Sequence, residues 1–502
     1  MRSRKALIST VTGILYELIA AICGFIVPKL ILSAFGSGYN GITSSITQFL
    51  SCIVLVKTSI SGVTRAALYS PLSRNDKKEI SSIIKATEIF MRKVACIFAA
   101  AVLLFACIYP FLVKNDFEFL FSSSLVLILG ISTFIQYYFG ITYQILLEAD
   151  QRQGFLYFVQ IVTTLLNTIF AAILIHMGAG IHVVKLGSAA AFSFNPILIN
   201  WYVYKKYDID RNASPDSTTI KQRWDAFGQA AAAFVHNNTD IVVLTVFSSI
   251  YEVSVYTVYY MVCNGLKTLL KTFTSSVGAA FGNMLAKGES STMQKNMDIF
   301  EYVGITFTTI FFTVAGIMML PFINVYVHDI NDVEYIRPLF SFLMVLGMAI
   351  FCYRIPYQAV IEAAGHYKQT RNGAILEAAV NIIISVVTVL KFGLIGVAIG
   401  TLVANLIRTV NYVGYLSRHI MHRSYWLFLK QMTTSIFISF LTVLISRHLN
   451  IIQADSYAVF AVNTLICGLI CSIITLIVSL IFYRITLFNL ITMIKRAISF
   501  KK

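Results

Sequence analysis

The stretches "LEADQRQGFLYFVQIVTTLLN" (147–167) and "IEAAGHYKQTRNGAILEAAVN" (361–381) read as two copies of one pattern. Each has a glutamate, a polar turn and an apolar run that ends in asparagine. Glu148 and Glu362 lie 214 residues apart, and Asn167 and Asn381 keep that spacing. The offset extends outward. "AFGSGYNG" (34–41) pairs with "VFSSIYEV" (246–253), and "YPFLV" (109–113) with "LPFIN" (320–324). Gly187 pairs with Gly400, and Tyr202 with Tyr415. The shift stays between 211 and 214 residues throughout, which indicates an internal duplication.

Only 12% of the 502 residues are charged and 57% are hydrophobic. An ordinary soluble domain carries about 25% charged residues. Apolar stretches of the roughly 20 residues needed to cross a bilayer recur along the chain. The pattern predicts an all-α polytopic membrane protein with about fourteen spans: 6–33, 41–64, 93–113, 119–147, 157–177, 183–204, 231–250, 254–284, 299–327, 338–360, 373–390, 393–415, 428–447 and 457–483. The period-two alternation of a membrane barrel is absent. The run after "MRSRK" is longer than a signal peptide's core and contains Glu17, Pro28 and Lys29, so it reads as the first span.

Spans 1–6 and 7–12 coincide under the repeat. The expected organisation is an N-terminal lobe (1–212), a C-terminal lobe (213–426), and an appended segment (427–502) with two further spans and an amphipathic tail. Six spans per lobe is even, so both lobes keep one orientation about an axis along the membrane normal. Transporters built this way hold substrate between the halves near the midplane.

Basic residues set the orientation. With the N-terminus inside, 28 of the 39 lysines and arginines fall in cytoplasmic segments and 5 outside. This places both termini in the cytoplasm of a plasma-membrane protein and accounts for most of the net charge of +16 without nucleic acid. The outer loops are too short for a catalytic domain. The amphipathic segments "KKEISSIIKATEIFMRK" (77–93) and "RITLFNLITMIKRAISFKK" (484–502) are expected to lie along the inner membrane surface.

An ionisable group at mid-bilayer costs roughly 2.5–3.5 kcal/mol and reads as functional by default. Lys267 and Lys271, near the middle of span 8, share one helix face. Lys57 maps by a 212-residue shift to position 269, between them, so both lobes carry a lysine at one depth. Arg354 and Arg408 either face the cavity or snorkel to headgroups. Against six cations within the spans, counting Lys29, the sequence places two clear acids, Glu17 and Asp240. That excess favours an anionic cargo such as a phosphate, diphosphate or acidic sugar. Asp240 shares a helix face with His236 and Asn237. It is either a counter-ion for a span-8 lysine or the holder of a coupling proton or sodium ion. Glu17 poses the same choice, in a polar stripe with Thr10, Gly13 and Tyr16 whose alternative use is close helix packing.

Other chemistry finds no support. There is no phosphate-cradling P-loop, no two-histidine metal motif and no Ser–His–Asp arrangement, so neither a cofactor nor an enzyme activity is expected. The eight cysteines all fall in spans and have no disulfide or metal spacing.

"NNTDIVVLTVFSSIYEVSVYTVYYMV" (237–262), followed by "FGNMLAKGE" (281–289), resembles the start of the second lobe in polysaccharide-type exporters of the multidrug/oligosaccharidyl-lipid/polysaccharide superfamily. The two opening stretches resemble that family's pattern at spans 4–5 and 10–11. The resemblance implies two six-helix lobes plus two helices, alternating access, and Wzx-like flipping of an undecaprenyl-diphosphate oligosaccharide. Its partners would be membrane lipids, that lipid-linked substrate and a polysaccharide polymerase. Lys57, Lys267 and Lys271 would then contact diphosphate or acidic sugar. Within the superfamily the alternatives are a flippase for lipid II or another cell-wall precursor, and a cation-coupled multidrug exporter. Outside it stand a membrane polymerase or ligase, which the short loops disfavour, and a non-transporting scaffold.

Overall fold

A computed structural model of the chain describes residues 2–113, 116–215, 234, 238–287 and 290–499. The described residues are helical almost throughout, as the hydropathy pattern predicts. In chain order the helices are α1 (Arg2–Phe35), α2 (Ser37–Leu50), α3 (Val54–Arg74), α4 (Lys77–Leu112), α5 (Phe119–Ile135), α6 (Ile141–Ala149), α7 (Gln153–His176) and α8 (Ile181–Lys206). They continue with α9 (Asn238–Phe247), α10 (Ile250–Ala286), α11 (Ser290–Tyr326), α12 (Pro338–Tyr353), α13 (Ile355–Ala363), α14 (Tyr367–Phe392), α15 (Leu394–His419), α16 (Trp426–His448), α17 (Tyr457–Phe482) and α18 (Arg484–Ser499).

Twelve helical segments among the described residues are long and apolar enough to cross a membrane, and they match expected spans 1–6 and 9–14. The described part of span 7 is the short apolar α9. Span 8 is α10. The chain is a multi-pass membrane protein. By compactness it forms two units, Met1–Ser254 and Val255–Lys502.

In the first unit the turn between α3 and α4 is set locally. Asn75 takes the left-handed conformation (φ 56°) and closes α3. Asp76 then accepts from the amides of Lys78 (3.1 Å) and Glu79 (3.0 Å), satisfying two donors that begin α4. The helix runs 36 residues without interruption. This corrects the expectation that 77–93 lies along the membrane surface. Ile80, Ile83, Ile84 and Met91 are buried in the unit's own core, so protein and not lipid covers the apolar face. α9 packs in the same unit: Ser45 and Thr245 share a hydrogen bond of 2.8 Å, and Gln48 donates to Asn238.

In the second unit, α14 and α15 form a tight hairpin turned by Gly393 alone (φ 54°), a conformation that L side chains rarely adopt. Thr388 donates to the Gly396 carbonyl (2.8 Å). A Cβ on Gly400 would lie 2.1 Å from Ser385 Oγ, so the crossing needs glycine there. Its repeat partner Gly187 is likewise tight, with Leu174 Cδ1 2.6 Å from where a Cβ would be. The duplicated glycines thus mark one helix crossing in each copy. Gly400→Val is expected to destabilise the protein by about 1–3 kcal/mol through overpacking, read as a lower melting temperature in detergent. An unchanged value would show that the hairpin can open without cost.

Candidate functional site

The break in span 4 precedes one polar cluster. After α5 the backbone widens into a π-turn at Gln136–Gly140 and re-forms as α6. α6 carries Tyr143, Gln144 and Glu148. Lys57 on α3 approaches Gln144 Oε1 at 3.4 Å, and Gln144 donates to Glu148 Oε1 at 3.0 Å. Arg65, two turns beyond Lys57, pairs with Glu148 Oε2 at 3.4 Å. Lys57 is half-buried and belongs to a relay of alternating cation, amide and carboxylate.

Glu17 is half-buried on α1. On that helix Tyr16 stacks on Tyr157 of α7 (5.9 Å), and a Cβ on Gly13 would meet the same ring at 3.1 Å. The Gly13–Tyr16 part of the stripe is therefore used for close packing. Asp240 is buried on α9 beside the buried Thr239. His236 and Asn237, expected to neighbour it, lie outside the described residues.

The second unit holds the denser cluster. Its span 10 is broken at Tyr353–Arg354, where α12 ends and α13 begins. Pro356 enforces the break, because it has no amide to continue the ladder. Span 11 supplies Glu377 on the buried stripe Thr370, Glu377, Asn381, Ser385 of α14. Arg354 donates through Nη1 to Glu377 Oε1 at 2.5 Å, and Arg408 Nε of α15 stands 3.4 Å from Glu377 Oε2. All three residues are at most 4% exposed. The two arginines thus neither snorkel nor stand free; they share one carboxylate.

Lys267 of α10 is buried and Lys271 exposed. Their ammonium groups lie 5.3 and 5.1 Å from the ring centre of Phe351, and the Arg354 guanidinium lies 4.3 Å from the same ring. Three cations therefore converge on one phenyl ring, whose π face favours positive charge. Lys267 also touches Tyr260 Oη at 3.4 Å. Glu362, which accepts from Gln358 at 2.7 Å, is within electrostatic reach of Lys271.

Two features escaped the sequence reading. Counting only Glu17 and Asp240 as intramembrane acids left out Glu377 and Glu301, both buried in predicted spans. Both sit near span ends, where an acid reads as interfacial. The other is a longer repeat, "YQILLEA" (143–149) against "YQAVIEA" (357–363), at a constant shift of 214. In both copies the glutamine donates to the glutamate one turn later, on a short helix after a break. Aligning the copies residue by residue would have exposed it.

No family model matches the chain, and no curated protein matches it in sequence. Solved structures do. Lipid II flippase MurJ in an inward closed conformation superposes with a TM-score of 0.69 and 19% identity, over 95% of this chain and 99% of that one. An inward-facing MATE-family multidrug resistance transporter superposes with a TM-score of 0.67 and 13% identity, over 84% and 98%. The MATE transporter VcmN of Vibrio cholerae gives 0.54 and 14%, over 86% and 99%. The fold is the one shared by these MurJ and MATE structures, of which the inward-facing MATE transporter is described as a member of the MOP superfamily. At these identities the likeness concerns fold, and the chemistry rests on the side chains above. Among the described residues no group of three or more histidine, cysteine or acidic side chains could hold a metal ion.

Proposed function

We propose that the chain is a flippase of the cytoplasmic membrane, with both termini inside, that moves an undecaprenyl-diphosphate-linked oligosaccharide by alternating access for surface polysaccharide assembly. The observation that carries this is the charge inventory of the second unit. Arg354 and Arg408 share the buried Glu377, and Lys267 and Lys271 join Arg354 over the Phe351 ring, so four cations gather with Glu377 and the exposed Glu362 as the acids named near them. A surplus of cations within spans suits a diphosphate and repels a cationic drug. Lys57 contributes a further ammonium group in the first unit. Lipid II carries the same polyprenyl diphosphate, and the extensive match to the MurJ fold makes a cell-wall precursor flippase the second reading. Glu17 and Asp240 are the candidates for proton or sodium coupling, and a polysaccharide polymerase is the proposed downstream partner.

The test is transbilayer movement in vesicles containing the purified protein. Labelled undecaprenyl-diphosphate oligosaccharide is expected to cross, with lipid II as competitor and ethidium as the cationic comparison. Preferential movement of lipid II would move the assignment to the second reading. Ethidium transport without lipid movement would overturn both.

A further inference from the structure

The two arginines that share Glu377 are held very differently. Arg408 is anchored: its guanidinium donates to the Thr370 carbonyl (2.9 Å), Asn411 Oδ1 (3.2 Å) and Tyr412 Oη (2.7 Å), and it lies 3.9 Å from the Tyr412 ring centre. Its seat is fitted at backbone level, because a Cβ on Gly373 would fall 2.2 Å from Arg408 Nη1. Arg354 has far less. Its hydrogen bond goes to Glu377; the Nε atoms of both arginines are buried without a hydrogen-bond partner among the described residues, although that of Arg408 stands 3.4 Å from Glu377 Oε2. A guanidinium has five N–H donors; among the described residues Arg354 makes one hydrogen bond where Arg408 makes three. Arg354 also occupies the α12–α13 break, where Pro356 has removed a helical hydrogen bond. From that position it already shares the Phe351 ring with Lys267 and Lys271.

We propose that Glu377 is a resident counter-anion and that Arg354 is a transferable specificity residue, passing from Glu377 to an anionic headgroup that joins Lys267 and Lys271. This rests on the reading of these cations as the receivers of such a headgroup. The exchange discriminates by charge. A monoanion offers Arg354 nothing that Glu377 does not, whereas a diphosphate offers more charge and more acceptor oxygens than one carboxylate. Arg408 stays with Glu377, so the carboxylate is never left buried and unpaired. Arg354 is therefore a positioning residue for diphosphate, and Glu377 sets the threshold for binding.

The experiment uses the full-length protein in detergent and follows its melting temperature against inorganic pyrophosphate, with acetate and chloride at matched ionic strength. Glu377→Gln is expected to lower the starting melting temperature. It should also reduce the pyrophosphate concentration for half-maximal stabilisation by about tenfold, a coupling of ordinary allosteric size. Adding Arg354→Gln should return that concentration to the parental value or above, and acetate should have no such effect in any variant. Unchanged or weaker pyrophosphate binding in a folded Glu377→Gln protein overturns the proposal. If that variant fails to fold, Glu377→Asp, which keeps the charge but shortens the reach, should show a smaller change in the same direction, and parental behaviour there overturns it too. The underlying reading fails separately: pyrophosphate stabilisation that survives Lys267→Ala/Lys271→Ala would show that these lysines receive no anion.

Discussion

The double variant Lys267→Ala/Lys271→Ala is expected to insert and fold but to lose lipid translocation. An intramembrane ammonium group costs roughly 2.5–3.5 kcal/mol in the apolar phase, so removing two should not weaken the fold. Among the contacts that hold them, Lys267 meets Tyr260 Oη at 3.4 Å, and both ammonium groups lie over the Phe351 ring, an uncharged partner that the change does not strand. Their contribution to an anionic headgroup is different in size. A hydrogen bond to a charged group is worth about 1.5–3 kcal/mol, so the pair supplies roughly 3–6 kcal/mol. At 1.4 kcal/mol per factor of ten, transport should fall on the order of a hundredfold to ten-thousandfold. Lys267→Arg/Lys271→Arg, which keeps both charges, should retain a measurable part of the activity. Initial rates of lipid movement in vesicles, at equal protein content and confirmed monodispersity, decide the matter. Normal rates in the alanine variant would remove the cationic cluster from the mechanism.

The fold was more legible than the site, for a physical reason. Hydropathy and a stable offset need no side-chain geometry: the pairs Pro110/Pro321 and Gly187/Gly400 carry positional information even in a strongly apolar composition. The same information located Lys57, Lys267 and Lys271, because an ammonium group in an apolar run is conspicuous. What the linear pattern concealed was pairing. Glu377 lies 23 residues from Arg354 and 31 from Arg408, on a different helix from either, so only packing brings them together. The role of Phe351 was hidden too, since a phenylalanine in a span reads as lipid-facing bulk until three cations are seen around it. The amphipathic face of 77–93 was correctly periodic, but periodicity does not say whether lipid or protein covers the apolar side.

Arg423→Ala is expected to cause the largest loss of stability of any single change proposed for this chain. Arg423 lies in the turn between α15 and α16 and reaches two acids on α11. Nη1 pairs with Asp298 at 3.1 Å, and Nη2 donates to Glu301. Glu301 is only 1% exposed and also accepts from Tyr357 on α13. The guanidinium thus ties α11, α13 and the α15–α16 turn through one buried carboxylate. Removing one partner of a buried ion pair costs about 3–5 kcal/mol, because the remaining charge is left unpaired. Asp298, half-exposed and solvated, contributes little of that. The size of the effect should therefore depend on Glu301 and not on Asp298. Arg423→Ala should lower the melting temperature strongly, Asp298→Asn only slightly, and Arg423→Ala/Glu301→Gln should recover much of the loss, since a neutral amide can still accept from Tyr357 without a stranded charge. A double variant as unstable as Arg423→Ala alone would place the cost in the turn itself, where Arg423 also donates its amide to the Ser417 carbonyl at 3.1 Å.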